Sequence, residues 1–246
     1  HIVILLYKLI IYIKKPIFFI KCINIMEKTN IILDLDECCV HSVLYSDIQN
    51  INKNNFRIYK KKLKSLGIHV NVFNYKFLNN KTEVSMTFRR PYLKQFFSYL
   101  FKNYNVSVWS NGYYTYVYEV CKIIFTPLQF KKLNYIFGSS EKGIIDILNN
   151  KVLYDLNKTN GSKDLKYLFN NKQYSKLFNK KNTILIDNDK RHYLFNKKKN
   201  VLLVKNWYFN DYDDTILLNI IEYLKSNKVD LLKIKTFLRQ KKSLKK

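Results

Sequence analysis

The feature that most constrains the fold is a short apolar run that ends in two carboxylates. The run 31–33 is followed by Asp34 and, after one intervening residue, by Asp36. An apolar run bounded in this way predicts a buried strand. In open α/β sheets, ligands bind outside the carboxyl ends of the strands. We therefore expect Asp34 and Asp36 to belong to a reaction centre. Asp-x-Asp also occurs in loops and helix caps, so this interpretation requires partner residues at the ends of other strands.

Composition places the chain among folded proteins with a full core. Its 246 residues are 47% hydrophobic and 16% aromatic, with 5 Gly and 3 Pro. This size fits one α/β domain, and the composition excludes a disordered tail. Lys and Arg number 44 against 18 Asp and Glu, a formal charge of +26. Such a charge favours acidic partners: phosphorylated peptides, nucleic acid or anionic lipid. AT-rich codons would produce the same lysine bias, and this alternative stays open.

Cysteine and histidine positions indicate the compartment and the kind of metal site. No Cys-x-x-Cys pair and no disulfide-like spacing occurs, which predicts a reducing intracellular location, nucleus or cytoplasm. The histidines are scattered as well, which argues against a zinc cluster. The residues concerned are Cys22, Cys38, Cys39, Cys121, His1, His41, His69 and His192.

The two ends of the chain differ from its middle. Residues 1–25 are very apolar, but lysines and Pro16 divide them into pieces shorter than the roughly 20 residues of a membrane helix. An interfacial anchor or a signal-like segment is one interpretation. Upstream translated sequence before Met26, or a fragment, is the interpretation we prefer. We therefore divide the chain into an extension at 1–27 and a domain at 28–246 that ends in a basic helix from Lys233.

Four motifs in order resemble those of a known family. The segment 34–42, DLDECCVHS, resembles the DLDETLVHS signature of the NLI-interacting-factor-like phosphatases, the RNA polymerase II C-terminal-domain phosphatase family of the haloacid dehalogenase superfamily. The others are a strand ending at Ser110, Lys163 directly before Asp-Leu, and a strand ending in Asp187-Asn188. The resemblance covers about residues 28–240. It implies an α/β fold: a Rossmann-like parallel sheet of the haloacid dehalogenase type with a small antiparallel β insertion.

Local patterns agree with this fold. Between Ser42 and Thr87, segments 68–73 and 83–88 alternate apolar and polar residues, which predicts half-exposed antiparallel strands. Pro91 then opens an amphipathic helix, and a further helix is predicted over 113–125. Asp214 and Thr215 are expected to cap a last helix, a structural role; they are preceded by Trp207.

The resemblance also implies roles for single residues. Asp34 becomes the nucleophile that forms an aspartyl-phosphate, and Asp36 becomes the acid that protonates the leaving oxygen and then the base for water. Ser110, Asn111 and Lys163 would bind the phosphate. Mg²⁺ would be held by Asp34, the backbone carbonyl of Asp36, Asp187 (directly or through water) and Asn188.

The predicted function is that of a monomeric Mg²⁺-dependent protein serine/threonine phosphatase. Its substrate would be a phosphorylated protein, with the RNA polymerase II C-terminal repeats as one candidate. Two alternatives stay open: a non-catalytic peptide receptor of the mitochondrial presequence-translocase type, and a phosphatase for small metabolites or nucleic-acid ends. The receptor often lacks both acids, and this chain has both. A cysteine nucleophile is disfavoured because no Cys-x5-Arg loop is present.

Three positions depart from the family pattern. Cys38 replaces the usual Thr and removes a hydroxyl that supports the loop. Cys39 replaces a Leu, which is a tolerable apolar exchange. The segment 137–140 reads Phe-Gly-Ser-Ser where many relatives place an arginine that helps to recognise the phosphopeptide. The family resemblance therefore supports the predicted reaction more strongly than it supports the predicted substrate.

Overall fold

A computed structural model describes residues 28–45, 69–154 and 161–226, together with Lys61 and Ser65. The expected extension at 1–27 and the basic tail from 233 lie outside these residues. So does most of the lysine-rich segment 60–64, for which the sequence predicts a solvated turn. None of the helices in the described part is both long enough and apolar enough to cross a lipid bilayer.

The central sheet of the described residues has seven strands in the order β10-β9-β1-β5-β6-β7-β8. Neighbouring strands are parallel from β10 to β6. The α/β fold is therefore confirmed. The strands are β1 (Asn30–Leu33), β5 (Asn105–Tyr113), β6 (Ile136–Ser140), β7 (Gly143–Asp146), β8 (Lys151–Tyr154), β9 (Thr183–Asp187) and β10 (Val201–Leu203).

The far edge of this sheet differs from an all-parallel arrangement. β7 pairs antiparallel with β6, and β8 pairs antiparallel with β7. The reason is the length of the connections, since only Glu141 and Lys142 join β6 to β7. Two residues are enough for a hairpin, whereas a parallel neighbour needs a crossover of a dozen or more residues.

A second sheet of three antiparallel strands, β2-β4-β3, forms the predicted insertion. Its strands are β2 (Val40–Leu44), β3 (Val70–Lys76) and β4 (Thr82–Arg89). Side chains alternate between half-buried and exposed along β3, as period two requires. Val40 pairs with Arg89, so the insertion begins directly behind the loop that carries Asp36.

Helices cover both faces of the central sheet. One face is covered by α1 (Leu93–Asn103), α2 (Tyr114–Ile124) and α5 (Ile216–Ser226), and the short helix α3 (Pro127–Lys131) packs there through Phe130; the short helix α4 (Lys166–Phe169) packs on the opposite face through Leu168. Ile31 and Leu33 pack with these three long helices, whereas Ile32 packs with Leu168 and Phe178 on the opposite face. All three β1 side chains are fully buried, which stabilises the fold by roughly 1.5–3 kcal/mol each.

The register of the central strands brings their ends together. Leu33 of β1 pairs with Val108 of β5 on one side and with Ile186 of β9 on the other. The residues that follow each strand therefore meet at one edge of the sheet. Asp34 comes directly after Leu33, and Asp187 directly after Ile186.

One strand boundary was predicted wrongly. β5 was expected to end at Ser110, but it continues to Tyr113 with a shift in register against β6 between Trp109 and Tyr113. Such an irregularity bends a strand and re-aims its side chains. Ser110 is fully buried as a result, and its hydroxyl faces Asp36.

Candidate active site

The centre of the site is a lysine held between two carboxylates. Lys163 Nζ donates to Asp34 Oδ1 (2.5 Å) and to Asp187 Oδ2 (2.6 Å). Asp34 is only 7% exposed, and the other two residues are 1% exposed. Lys163 comes from the loop before α4, so three distant parts of the sequence meet at this point.

The three charges shift one another's pKa. Burial, and then the nearby Asp187, raise the pKa of Asp34 well above its usual range, against the lowering effect of Lys163. Burial also acts to raise the pKa of Asp187, but Lys163 and the hydrogen bond from His192 outweigh it and lower that pKa to about 2. For Lys163, burial acts to lower the pKa, yet the two carboxylates raise it above the usual value. The ammonium therefore stays charged.

Asp36 is presented by a tight turn after β1. The carbonyl of Leu35 accepts hydrogen bonds from the backbone N–H groups of residues 38, 39 and 40 at 3.2, 2.7 and 2.9 Å. Glu37 has a φ of 53°, a left-handed conformation that is uncommon for a residue with a side chain. This turn directs the Asp36 carboxylate away from Asp34 and towards β5 and α2.

Two hydroxyl groups hold that carboxylate. Tyr116 donates to Asp36 Oδ1, and Ser110 Oγ donates to Asp36 Oδ2 at 3.3 Å. Burial raises the pKa of Asp36, although both hydroxyl hydrogen bonds act to lower it. A carboxyl group with a raised pKa is suited to give up a proton during a reaction.

The remaining predicted residues lie at the rim. Asn111 Nδ2 donates to the carbonyl of Gly161 (2.6 Å), and so joins β5 to the loop that carries Lys163. Asn188 Nδ2 donates to Asn206 Oδ1 (3.4 Å). Both side chains are more exposed than the central lysine.

The structure brings every predicted site residue to one cavity. Its volume is about 160 Å³. A larger groove of about 580 Å³ lies between β3, α2 and Leu148 and contains none of these residues. We place the site at the smaller cavity because the buried charges converge there. The predicted residues that line it are Asp34, Asp36, Ser110, Asn111, Lys163, Asp187 and Asn188.

Sequence reasoning missed two residues of the site. Tyr116 was treated only as part of a helix, yet its position in the first turn of α2, close after Ser110, was a usable signal. His192 was dismissed as one of four scattered histidines. Its Nε2 lies 3.0 Å from Asp187 Oδ2, and no spacing in the sequence indicates this contact.

The donor groups fit a hard cation such as Mg²⁺. Asp34, Asp36 and Asp187 carry three acidic groups against the single ammonium of Lys163, and Mg²⁺ prefers oxygen ligands. Within 28–45, 69–154 and 161–226, no three His, Cys, Asp or Glu side chains are grouped to hold a metal ion. The Asp36 side chain is committed to hydroxyls, so its backbone carbonyl is the group left for a cation, together with Asp34 and the Asn188 amide.

The buried thiols do not compete as nucleophiles. Cys38, Cys39 and Cys121 are free and buried. Contact with Cys39 and burial raise the pKa of Cys38 well above its usual value, and its Sγ lies 3.8 Å from the carbonyl of Ile186. A thiol with a raised pKa is poorly nucleophilic, so Cys38 acts here as a packing residue.

The chain is similar to known proteins in both sequence and fold. The model of the NLI interacting factor-like phosphatase family matches residues 29–235. The putative CTD phosphatase-like protein 355R of Invertebrate iridescent virus 6 is 28% identical over 187 residues, which cover 75% of this chain and 88% of the viral protein. The structure of Fcp1, an essential RNA polymerase II CTD phosphatase, superposes with a TM-score of 0.51 at 17% identity. That match covers 84% of this chain and 52% of Fcp1, so the chain spans about half the length of the solved structure.

Proposed function

The chain belongs to the NLI interacting factor-like phosphatase family, and from this premise we propose that it is a Mg²⁺-dependent protein serine/threonine phosphatase that works through an aspartyl-phosphate. The resemblance of the four motifs to this family is thereby confirmed, as is the expectation of a phosphatase. The metal, the covalent intermediate and the substrate are the parts that we propose.

The observation that carries the proposal is the division of labour between two acids on one loop. Asp34 stands against the Lys163 ammonium, which offsets negative charge near an incoming phosphate. Asp36 faces the hydroxyl groups of Ser110 and Tyr116 instead. Two acids whose environments differ in this way are suited to act as nucleophile and proton donor.

In the first step, a carboxylate oxygen of Asp34 attacks phosphorus and the bond from phosphorus to the serine or threonine oxygen breaks. Because Oδ1 accepts from Lys163, Oδ2 is the attacking oxygen. Asp36 gives its proton to the leaving oxygen, so that an alcohol departs in place of an alkoxide. Covalent capture divides one difficult displacement into two easier ones.

In the second step, water attacks the phosphorus of the aspartyl-phosphate, the bond from phosphorus to the Asp34 oxygen breaks, and inorganic phosphate leaves. Asp36 accepts the proton of that water. The Ser110 hydroxyl and the Lys163 ammonium would bind the phosphoryl oxygens in both steps. Tyr116 keeps the Asp36 carboxylate in place through its hydroxyl. The cycle returns Asp34 and Asp36 to their starting protonation states.

Phosphatases of this fold are metal-dependent in general, and the choice of Mg²⁺ is part of the proposal. The ion would be held by Asp34, the carbonyl of Asp36 and Asn188, with Asp187 acting directly or through water. When bound, it would supply positive charge close to the phosphate. The surplus of acidic groups around Lys163 supports this arrangement.

For the substrate we propose a phosphorylated protein, and the RNA polymerase II C-terminal repeats are the first candidate. Fcp1 is an RNA polymerase II CTD phosphatase, and the net charge of +26 of this chain suits a phosphorylated segment. Phosphate release from a panel of phosphoserine and phosphothreonine peptides, beside phosphorylated metabolites, tests this choice with Mg²⁺ and with EDTA. We expect Mg²⁺-dependent release from peptides.

Asp34→Asn is the decisive variant because it keeps the shape of the side chain and removes the nucleophile. We expect its turnover to fall to background. Asp213→Asn is the matched control, since Asp213 is exposed and outside the cavity; it should retain wild-type activity. Full hydrolysis by Asp34→Asn would rule out the assignment. Tight peptide binding without turnover by the wild-type protein would favour the receptor alternative.

A further inference from the structure

A buried histidine that the proposed mechanism does not use lies between Lys163 and Asp187. His192 is 1% exposed. Its Nδ1 accepts the backbone N–H of Lys163 at 3.1 Å, and its Nε2 lies 3.0 Å from Asp187 Oδ2. One ring therefore touches both the loop that carries the lysine and the strand end that carries the acid.

These contacts define the state of the ring. A ring nitrogen accepts a hydrogen bond only when it carries no proton, so the N–H of Lys163 requires an unprotonated Nδ1. In the neutral ring the proton is then on Nε2, which donates to Asp187. The Ser162 hydroxyl lies 3.2 Å from Nδ1 and 3.2 Å from the carbonyl of Arg191, and it has an acceptor at either position.

A second side chain from the same segment, that of Asn196, also binds the backbone of Lys163. Asn196 Nδ2 donates to the carbonyl of Lys163 (2.6 Å) and to the carbonyl of His192 (2.9 Å). Asn196 Oδ1 accepts the N–H of Leu165 at 2.9 Å. Both backbone polar groups of Lys163 are thus bonded to side chains that follow β9, and the base of this long side chain is held in place.

We propose that His192 is a positioning residue for the phosphatase reaction: it fixes the backbone of Lys163 and the carboxylate of Asp187 relative to each other. This deepens the proposed function and rests on it. Asp187 Oδ2 accepts from both Lys163 and His192. The donation from His192 means that Asp187 does not depend on the ammonium alone, which leaves the ammonium available to Asp34 and to the phosphoryl oxygens.

Two variants separate the two contacts. His192→Asn keeps an acceptor near the Nδ1 position but is too short to donate to Asp187. His192→Gln keeps a donor near the Nε2 position but loses the acceptor for the Lys163 N–H. We expect each to lower kcat roughly 10- to 100-fold, as is typical when a group that orients an active-site ligand is lost, with a much smaller change in KM for the phosphopeptide. His69→Ala is the control, since His69 is exposed and far along the insertion.

Amide exchange and nitrogen NMR on the metal-free protein provide readouts that need no turnover. Hydrogen exchange at the Lys163 amide should be at least about tenfold faster in His192→Gln than in wild type, and close to wild type in His192→Asn. The ¹⁵N shifts of His192 in the wild-type protein should be those of the Nε2–H tautomer. Thermal unfolding of each variant establishes that it is folded.

An Nδ1–H tautomer would overturn the proposal, and so would two folded variants that match His69→Ala in both kcat and Lys163 exchange. No turnover by the wild-type protein would overturn the proposed function itself. In that case the tautomer and exchange measurements, which need neither substrate nor metal, would still support or overturn the placement of His192.

Discussion

Two clusters of buried charge differ in how fully their charges are balanced. In one, Arg90 meets Asp214 as a single pair, with hydrogen bonds of 2.9 and 2.8 Å from Nε and Nη2 to the two carboxylate oxygens. In the other, Lys163 lies between Asp34 and Asp187. The first has one positive and one negative charge, whereas the second has two negative charges around one positive charge.

Every guanidinium nitrogen of Arg90 donates at least one hydrogen bond. Arg90 Nη1 donates to the carbonyl of Cys38 (2.7 Å), and Nη2 donates also to the carbonyl of Lys205 (3.2 Å). Asp214 Oδ1 accepts the N–H of Ile216 (3.1 Å), which agrees with its expected role as a cap of α5. The pair therefore links the turn that follows Asp36 to the first residue of α5, and its role is structural.

The Lys163 cluster is left with negative charge, and its pKa values are shifted accordingly. Such a surplus of acidic groups costs stability and attracts a cation. The difference teaches that both clusters are buried, and that the balance of their charges is what separates the structural cluster from the candidate catalytic one.

The largest effect is expected for Arg90→Met. The change leaves Asp214 buried without its partner, so the free energy of unfolding should fall by roughly 3–5 kcal/mol. Urea unfolding measures it. Lys122→Met, which breaks the exposed pair with Glu119, is the control and should cost about 0–1 kcal/mol. Equal losses in both variants would contradict a structural role for Arg90.

The second effect is stabilisation by Mg²⁺. An ion that binds only the folded state at 100 times its Kd raises the free energy of unfolding by about 2.7 kcal/mol. We expect Mg²⁺ to raise the free energy of unfolding of Arg90→Met by the same amount, because the proposed ion does not bind at the Arg90 cluster. In Asp34→Asn we expect a much smaller rise, because a proposed ligand of the ion is lost. Thermal unfolding across a Mg²⁺ titration measures both. An unchanged increment in Asp34→Asn would place the ion elsewhere.

A smaller effect concerns how the free energy of unfolding of the metal-free protein falls at acidic pH. The pKa of Asp187 in the folded state is about 2, below the value of about 3.9 for an unfolded chain. Its contribution to stability is therefore fully present above about pH 4 and is lost as the pH falls towards 2. Asp187→Asn should be less stable at pH 6 and should show a flatter decline over that window. A parallel decline in both proteins would show that Asp187 is not stabilised as an anion.

The smallest effect, and one of opposite sign, is expected for Asp34→Asn without metal. The pKa of Asp34 is raised in the folded state, so its ionised form costs stability above the pKa of the unfolded chain. Removing the charge should raise the thermal unfolding midpoint of Asp34→Asn above that of the wild type at pH 7. The turnover of the same variant should fall to background. A clear loss of stability in this variant would mean that Asp34 belongs with the balanced, structural kind of charge.

The sequence predicted the framework of the site for local reasons. Apolar runs of the right length marked β1 and β9 as buried strands, and the residues after them were marked as a strand-end site. Alternation of polar and apolar residues predicted the small antiparallel sheet. These features depend on neighbours in the chain, and the family resemblance supplied the order of the motifs.

The interactions inside the site were not predictable in the same way. Lys163 and Asp34 are 129 residues apart in sequence, and Tyr116 is 80 residues from Asp36. The bulge that re-aims Ser110 and the hairpin that makes β7 antiparallel arise from pairing between strands. No pattern near His192 marks it as a partner of Asp187, because the contact depends on how the segment after β9 folds back.

By itself, the sequence marked the acids at the strand ends as candidate site residues, since strand periodicity and the positions of these acids are local properties of the chain. Tertiary structure alone decided what those residues do to one another. A carboxylate acquires its pKa, its hydrogen-bond donors and its direction from groups that packing brings within about 3 Å, and those groups are distant in the chain. Accordingly, Asp214 is one half of a structural ion pair, whereas Asp34 is a candidate nucleophile.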